Sequence, residues 1–200
     1  MKKIEYFSTP AGAPAPLEKS VFRTVRFNEI DPMGIMWHGH YAGFIEDARV
    51  ALGDSLGIGY QDFYDHGVMI PLRQFHVDYL APLLYAKTYE IKARLFYCES
   101  ARLNYDFTIL DENQKVMARG CSVQLMVDKD HNLLFEWPEF TRDFFNAWKE
   151  GSVKQKLKFS SSSRTITIPL RSGAWRKGVW RKIQTWRCLT TEAMVRRKNS

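Results

Sequence analysis

The residues best suited to chemistry lie between Asp31 and Arg49, in the run Asp-Pro-Met-Gly-Ile-Met-Trp-His-Gly-His-Tyr followed by Ala-Gly-Phe-Ile-Glu-Asp-Ala-Arg. A carboxylate precedes a Pro-x-Gly turn, and seven residues later His38-Gly39-His40 opens the longest amphipathic pattern in the chain. Aspartate is an anion at neutral pH and can serve as a base or a nucleophile. A helix start presents backbone N–H groups and partial positive charge, which suit an oxygen that gains charge during attack on its carbonyl. Asp31 would supply the base or nucleophile and the N–H groups of His38 and Gly39 the donors, with Gly39 leaving room for an acyl group. The competing reading of Asp31 is a turn former or cap. The histidine alone reads as structural, and no Cys or carboxylate stands at zinc-ligand spacing from it, so no metal is expected.

The elements that must position these residues follow from periodicity. Tyr41, Phe44, Ile45, Ala48, Leu52 and Leu56 recur at spacings of three and four, which predicts a helix from about His40 to Leu56, stopped by Gly57. Val21 to Asn28 reads as a strand that ends where Glu29-Ile30-Asp31-Pro32 turns the chain. After a loop with a short aromatic helical turn at Tyr60 to Tyr64, Val68 to Tyr79 reads as a strand near an edge or with a bulge, because Pro71 and Pro82 punctuate it. The period then becomes two: Tyr89, Ile91, Ala93, Leu95 and Tyr97, and again Leu103, Tyr105, Phe107 and Ile109, mark two half-buried strands. A hairpin turn at residues 111–114, a strand from Val116 to Val127, a turn from Asp128 to Asn132 and a helix opened by Pro138 complete the pattern, with Phe140, Phe144 and Trp148 four apart. One apolar-striped helix among antiparallel strands is most economically packed as an α+β, two-layer fold.

Composition bounds the rest. Two hundred residues suit one domain with an appendage. Cys98, Cys121 and Cys188 are odd in number and widely spaced, which fits neither a disulfide framework nor a CxxC site and points to a reducing, cytoplasmic setting. Met-Lys-Lys imitates the start of a signal peptide, but no long apolar run follows, and no stretch is apolar enough to span a bilayer. From Lys149 onward 14 Lys and Arg stand against two Glu, a net +12 in a chain of net +7, which leaves −5 for residues 1–148. The basic character therefore argues for no nucleic-acid partner of the main domain. Residues 1–18 read as a flexible Pro/Ala-rich arm, 19–149 as the domain, and 150–200 as a basic, disordered or non-native tail in which Trp175, Trp180 and Trp186 are interleaved with Arg and Lys.

The run Asp31-Pro32-Met33-Gly34-Ile35, with His38, Tyr41 and Glu46 to Arg49, closely resembles the signature of hotdog-fold thioesterases of the 4-hydroxybenzoyl-CoA and short acyl-CoA thioesterase family. The segment Val77-Asp78-Tyr79-Leu80-x-Pro82 fits as well, and the resemblance covers about Val21 to Lys149. It implies a long central helix wrapped by a curved antiparallel sheet, assembly as a homodimer or homotetramer, and hydrolysis of acyl-CoA or acyl-carrier-protein thioesters without a cofactor. Asp31 matches the family's catalytic carboxylate, and His38 matches the helix-start residue whose N–H polarises the thioester carbonyl. His40 departs from the pattern, where Asn or a small polar residue is expected. The alternatives within the fold are a non-catalytic module that binds acyl-CoA or assembles with a partner, and a dehydratase, for which no hydratase-type motif is present.

The remaining candidates are weaker. Gly34 in the turn and Tyr41 at the helix start are candidate substrate-binding residues. Trp37, Phe44 and Phe63 would bound an acyl pocket. Glu46 is either a partner of the site or simply paired with Arg49 at i+3. His76 and Asp78 share a strand face and would line a groove, and Ser100 and Arg102 would contact pantetheine or a CoA phosphate at the start of a strand.

Overall fold

The computed structural model describes residues 6–9 and 11–153. Its elements are β1 (Leu17–Thr24), α1 (Tyr41–Leu56), α2 (Tyr60–Asp65), β2 (Leu72–Tyr79), β3 (Thr88–Phe96), β4 (Arg102–Leu110), β5 (Val116–Leu125) and α3 (Glu139–Lys149). The strands form one antiparallel sheet ordered β1-β3-β4-β5-β2, and α1 packs across β1 and β3. This is the α+β hotdog arrangement of a long helix held against an antiparallel sheet.

The helical stripe is the reason. Tyr41, Phe44, Ile45, Ala48, Leu52 and Leu56 are all buried, against Ile91, Ala93 and Leu95 of β3 and Tyr105, Phe107 and Ile109 of β4. Gly57 ends α1 in the left-handed conformation at φ 76°, with its N–H donating to the Gly53 carbonyl. On β5, a Cβ at Gly120 would lie 2.6 Å from the His76 carbonyl oxygen, so this glycine lets the β2 backbone pair closely with β5, while Ile45 of α1 stands at an ordinary contact distance of 3.4 Å.

Several boundaries differ from the sequence reading. The first strand, β1 at Leu17–Thr24, begins within the expected arm and ends before the expected Asn28, because Phe27–Glu29 forms a tight 3-10 turn closed by Arg26 N–H donating to the Glu29 carboxylate. β2 begins only after Pro71, lies at the sheet edge, and carries a register slip between Leu72 and Gln74. β4 is buried on both faces rather than half-buried, since it is the central strand and its polar residues pair sideways: Asp106 binds Arg94 of β3. In α3 the deepest residues are Thr141, Phe145 and Trp148, while Phe140 and Phe144 are only partly covered. Among the described residues no helix is long and apolar enough to cross a membrane. The tail reading of 150–200 falls, from residue 154 onward, outside the described residues.

The arm is tied down at several points. Trp148 Nε1 donates to the Ala15 carbonyl at 3.0 Å, Phe7 packs on Phe96, and the Tyr6 hydroxyl donates to Asp78. The bond from Tyr6, with a second from His76, holds the Asp78 carboxyl below its ordinary range, while burial and the same bond push the Tyr6 hydroxyl up. A carboxyl depressed in the folded state stabilises above its unfolded pKa and loses that contribution as pH falls through the folded value. Acidification below about pH 4 is therefore expected to release Tyr6, read as loss of amide-exchange protection across the arm before the sheet opens. Tyr6→Phe is expected to remove that pH dependence.

Candidate functional site

The site is built on a hairpin between β1 and α1. Gly34 N–H donates to the Asp31 carbonyl at 3.0 Å and Asp31 N–H to the Ile35 carbonyl at 2.8 Å, with Gly34 in the left-handed region at φ 77°. The arms of the hairpin meet through an Ile30–Met36 bridge, and Met36 N–H donates to the Leu83 carbonyl at 2.8 Å, clipping the hairpin to the segment after β2. Beyond it, His38–His40 forms a tight 3-10 turn, so α1 proper begins at Tyr41 rather than His40. His40 N–H donates to the Trp37 carbonyl, and Tyr41 N–H to that of His38. The N–H groups of His38 and Gly39 meet no protein acceptor among the described residues.

Asp31, His38, Tyr41 and Tyr79 line one open cleft of about 380 Å³, closed on its far side by Leu80, Ala81 and Pro82. The Asp31 carboxylate accepts Met33 N–H on Oδ1 at 2.8 Å, so the turn-forming role is real. Its second oxygen takes no protein donor among the described residues, and a single Asx-type bond does not exclude a catalytic role. Tyr41 is buried; its hydroxyl oxygen accepts Leu83 N–H at 3.3 Å, its ring meets Tyr79 edge-on at 4.8 Å, and burial pushes its hydroxyl pKa up. Tyr79 donates its hydroxyl to the His38 carbonyl at 3.3 Å, which braces the turn from β2. The sequence reading placed Tyr79 in a strand segment and assigned it no role; its signal was adjacency to Leu80-x-Pro82, which forms the cleft wall.

Other expected residues are placed elsewhere or differently. The indole of Trp37 lies where a Gly39 Cβ would be, 2.0 Å from its nearest ring atom, and the same ring packs on His38 and His40. Gly39 therefore admits Trp37 against the helix start, and the acyl group expected on that side would meet the indole. Phe44 and Phe63 are core residues, under the Arg23 guanidinium and against Phe140 respectively; neither lines the Asp31 cleft, and Phe63 borders a separate cavity of about 340 Å³ with Tyr60, Tyr64 and Ile70. Glu46 pairs with Arg49 as the i+3 spacing implied, and both border a separate depression of about 330 Å³ between α1 and β2. His76 and Asp78 bind each other on the outer sheet face beneath Tyr6, away from Asp31.

Arg102 borders a cleft of about 680 Å³ under the arm, with Lys149 and Asn104, and donates from Nε to Cys98 Sγ at 3.2 Å. The Ser100 carbonyl accepts Trp137 Nε1–H. Neither Asp31 nor His38 lines that cleft. Among the described residues no group of three or more His, Cys, Asp or Glu is arranged to hold a metal ion.

A family model described as the thioesterase-like superfamily matches residues 25–145, which hold every residue of the hairpin and helix start. The chain belongs to this superfamily. Its similarity to YneP of Bacillus subtilis (strain 168), whose assignment as an acyl-CoA thioesterase is itself provisional, is 26% identity over 126 residues, 63% of this chain and 91% of that protein. It is 24% identical over 127 residues to the acyl-acyl carrier protein thioesterase ATL3 of Arabidopsis thaliana, 62% of this chain and 67% of that one. The fold is similar to that of a DHNA-CoA thioesterase from Staphylococcus aureus, with a TM-score of 0.61 and 22% identity across 67% of this chain and 90% of that chain.

The hairpin geometry carries its own test. No atom lies within 4 Å of where a Gly34 Cβ would stand, so any penalty there comes from backbone conformation alone. Gly34→Ala is expected to cost about 1 kcal/mol in urea unfolding, without a change in far-ultraviolet dichroism.

Proposed function

We propose that the protein hydrolyses acyl-CoA or acyl-carrier-protein thioesters to a carboxylic acid and a thiol, with Asp31 as base or nucleophile and the His38–Gly39 turn as oxyanion site. The observation that carries this reading is the shared cleft: the Asp31 carboxylate and the helix-start residue His38 line the same opening in a chain of the thioesterase-like superfamily. The thioester carbonyl oxygen, which gains negative charge on attack, would lie against the N–H groups of His38 and Gly39, where fixed donors stabilise the transition state more than the ground state. Asp31 would then either remove a proton from a water that attacks the acyl carbon, giving the acid directly, or attack the acyl carbon itself to form a mixed anhydride that water hydrolyses to free the acid and restore the carboxylate; in either case the thiolate leaves and takes up a proton. No metal or organic cofactor is assigned a part.

We further propose, from the resemblance of the Asp31 motif, that the chain works within the 4-hydroxybenzoyl-CoA and short acyl-CoA branch, as a homodimer or homotetramer in the cytoplasm. The free thiols Cys98 and Cys121 suit a reducing compartment. The carrier may be read from the thiol released: the names of YneP and ATL3 give CoA and acyl carrier protein as the two to compare.

Thiol release from a panel of short, long and aromatic acyl-CoAs and from an acyl carrier protein thioester tests the reading. Asp31→Asn is expected to lower kcat by about 10²- to 10⁴-fold while the fold is retained; full activity in that variant would refute the mechanism. Binding of acyl-CoA without cleavage by the wild type would favour an acyl-CoA-binding module instead. We further propose that residues 150–200 take no part in the chemistry, so that a chain ended at Gly151 turns over at the rate of the full chain.

A further inference from the structure

The geometry points to Glu29, with Arg23, as the pair that positions the Asp31 hairpin for catalysis. The role rests on the reading of Asp31 as the acting carboxylate. Glu29 stands two residues before Asp31 and is only 7% exposed, an unusual place for a carboxylate unless it is fully bonded. Both of its oxygens are used: Oε1 accepts Arg23 Nη2 at 2.8 Å and Oε2 accepts the Arg26 backbone N–H at 2.8 Å. Its carbonyl accepts Trp37 N–H at 2.9 Å, immediately before His38. One buried residue thus holds the strand entering the Asp31 turn and the strand leaving it for the helix start.

Arg23 extends the anchor into the scaffold. It projects from β1, donates its other terminal nitrogen to Asp47 of α1 at 2.8 Å, and lies over the Phe44 ring at 4.3 Å. The planar guanidinium can address two carboxylates at fixed angles while stacking on an aromatic face, which an ammonium cannot do. The sheet, the central helix and the hairpin are therefore joined at one guanidinium. A displacement of about 1 Å at a reacting group can cost on the order of 100-fold in rate, so this anchor governs turnover without touching the substrate.

The discriminating variant is Glu29→Gln. A glutamine has the same shape, but one end of its amide is a donor, so it can accept from Arg23 or from the Arg26 N–H and not from both. In the full chain, Glu29→Gln is expected to lower kcat by about 10- to 100-fold while KM for the acyl thioester changes less than about threefold. Arg23→Lys, which keeps the charge and loses the fork, is expected to fall between wild type and Glu29→Gln in kcat; it carries the same test should Glu29→Gln fail to fold. Asp31→Asn is measured alongside. If Asp31→Asn is inactive and Glu29→Gln or Arg23→Lys keeps the wild-type kcat, the positioning role is overturned and the hydrolysis reading stands. A rise in KM at unchanged kcat also overturns it. If Asp31→Asn keeps full turnover, the reading of Asp31 falls and the positioning role falls with it.

Discussion

The packing of α1 on β1 and β3 is the constraint on which the site depends, because it fixes where a helix start can be. Phe44, Ala48 and Leu52 are completely buried at that contact, and the N-terminal end of α1 follows rigidly from their seating. Burying side chains of this size contributes roughly 1.5–3 kcal/mol each for the larger ones, against which the alignment of a turn with a helix end is a small demand. Ala93 is fully buried in the same apolar cluster, and Ile45 of α1 stands 3.4 Å from where a Gly120 Cβ would be. The chemistry at the end of the helix is thus placed by apolar contacts that take no part in it.

Given that helix, the chain between Glu29 and His38 has little freedom. Eight residues must leave the strand side, expose a carboxylate, and return to the helix axis. A hairpin with one left-handed residue does this, and Gly34 occupies that position at φ 77°. Its base is held from three directions: by the Glu29 carbonyl to Trp37, by the Leu83 carbonyl to Met36, and by Tyr79 to the His38 carbonyl. Trp37 completes the arrangement by packing on His38, His40 and the bare Cα of Gly39. A rigid oxyanion site needs donors that do not reorganise when charge appears, and this bracing limits such movement.

What was legible in the sequence was whatever repeats locally. The stripe from Tyr41 to Leu56 and the alternation through Tyr89–Leu95 and Leu103–Ile109 record burial directly, and those elements lie where the periods put them. The Asp31–Gly34 turn was readable for the same reason, since its hydrogen bonds close within five residues. Features set by distant contacts were not legible. The burial of Asn104 and Asp106 on the outer face depends on β4 being central and on Arg94 across the ladder, and no local pattern announces either. The separation of Arg102 from Asp31 into different clefts is likewise a result of topology. Glu29 and Arg23 looked like ordinary polar strand and turn residues until their 2.8 Å contact joined them.

The same distinction makes the turn-forming bond of Asp31 compatible with its proposed role as the acting carboxylate. A carboxylate has two oxygens and several lone pairs, and the Met33 N–H engages Oδ1 alone. That bond fixes the side-chain rotation, so the second oxygen points where the backbone turn directs it rather than sampling solvent. Without the bond, a half-exposed aspartate would spread over several rotamers, and the fraction aimed at an acyl carbon would fall. The turn and the proposed chemistry therefore call for the same residue type at the same place, and the structural contact of Asp31 would support its orientation for reaction instead of competing with it.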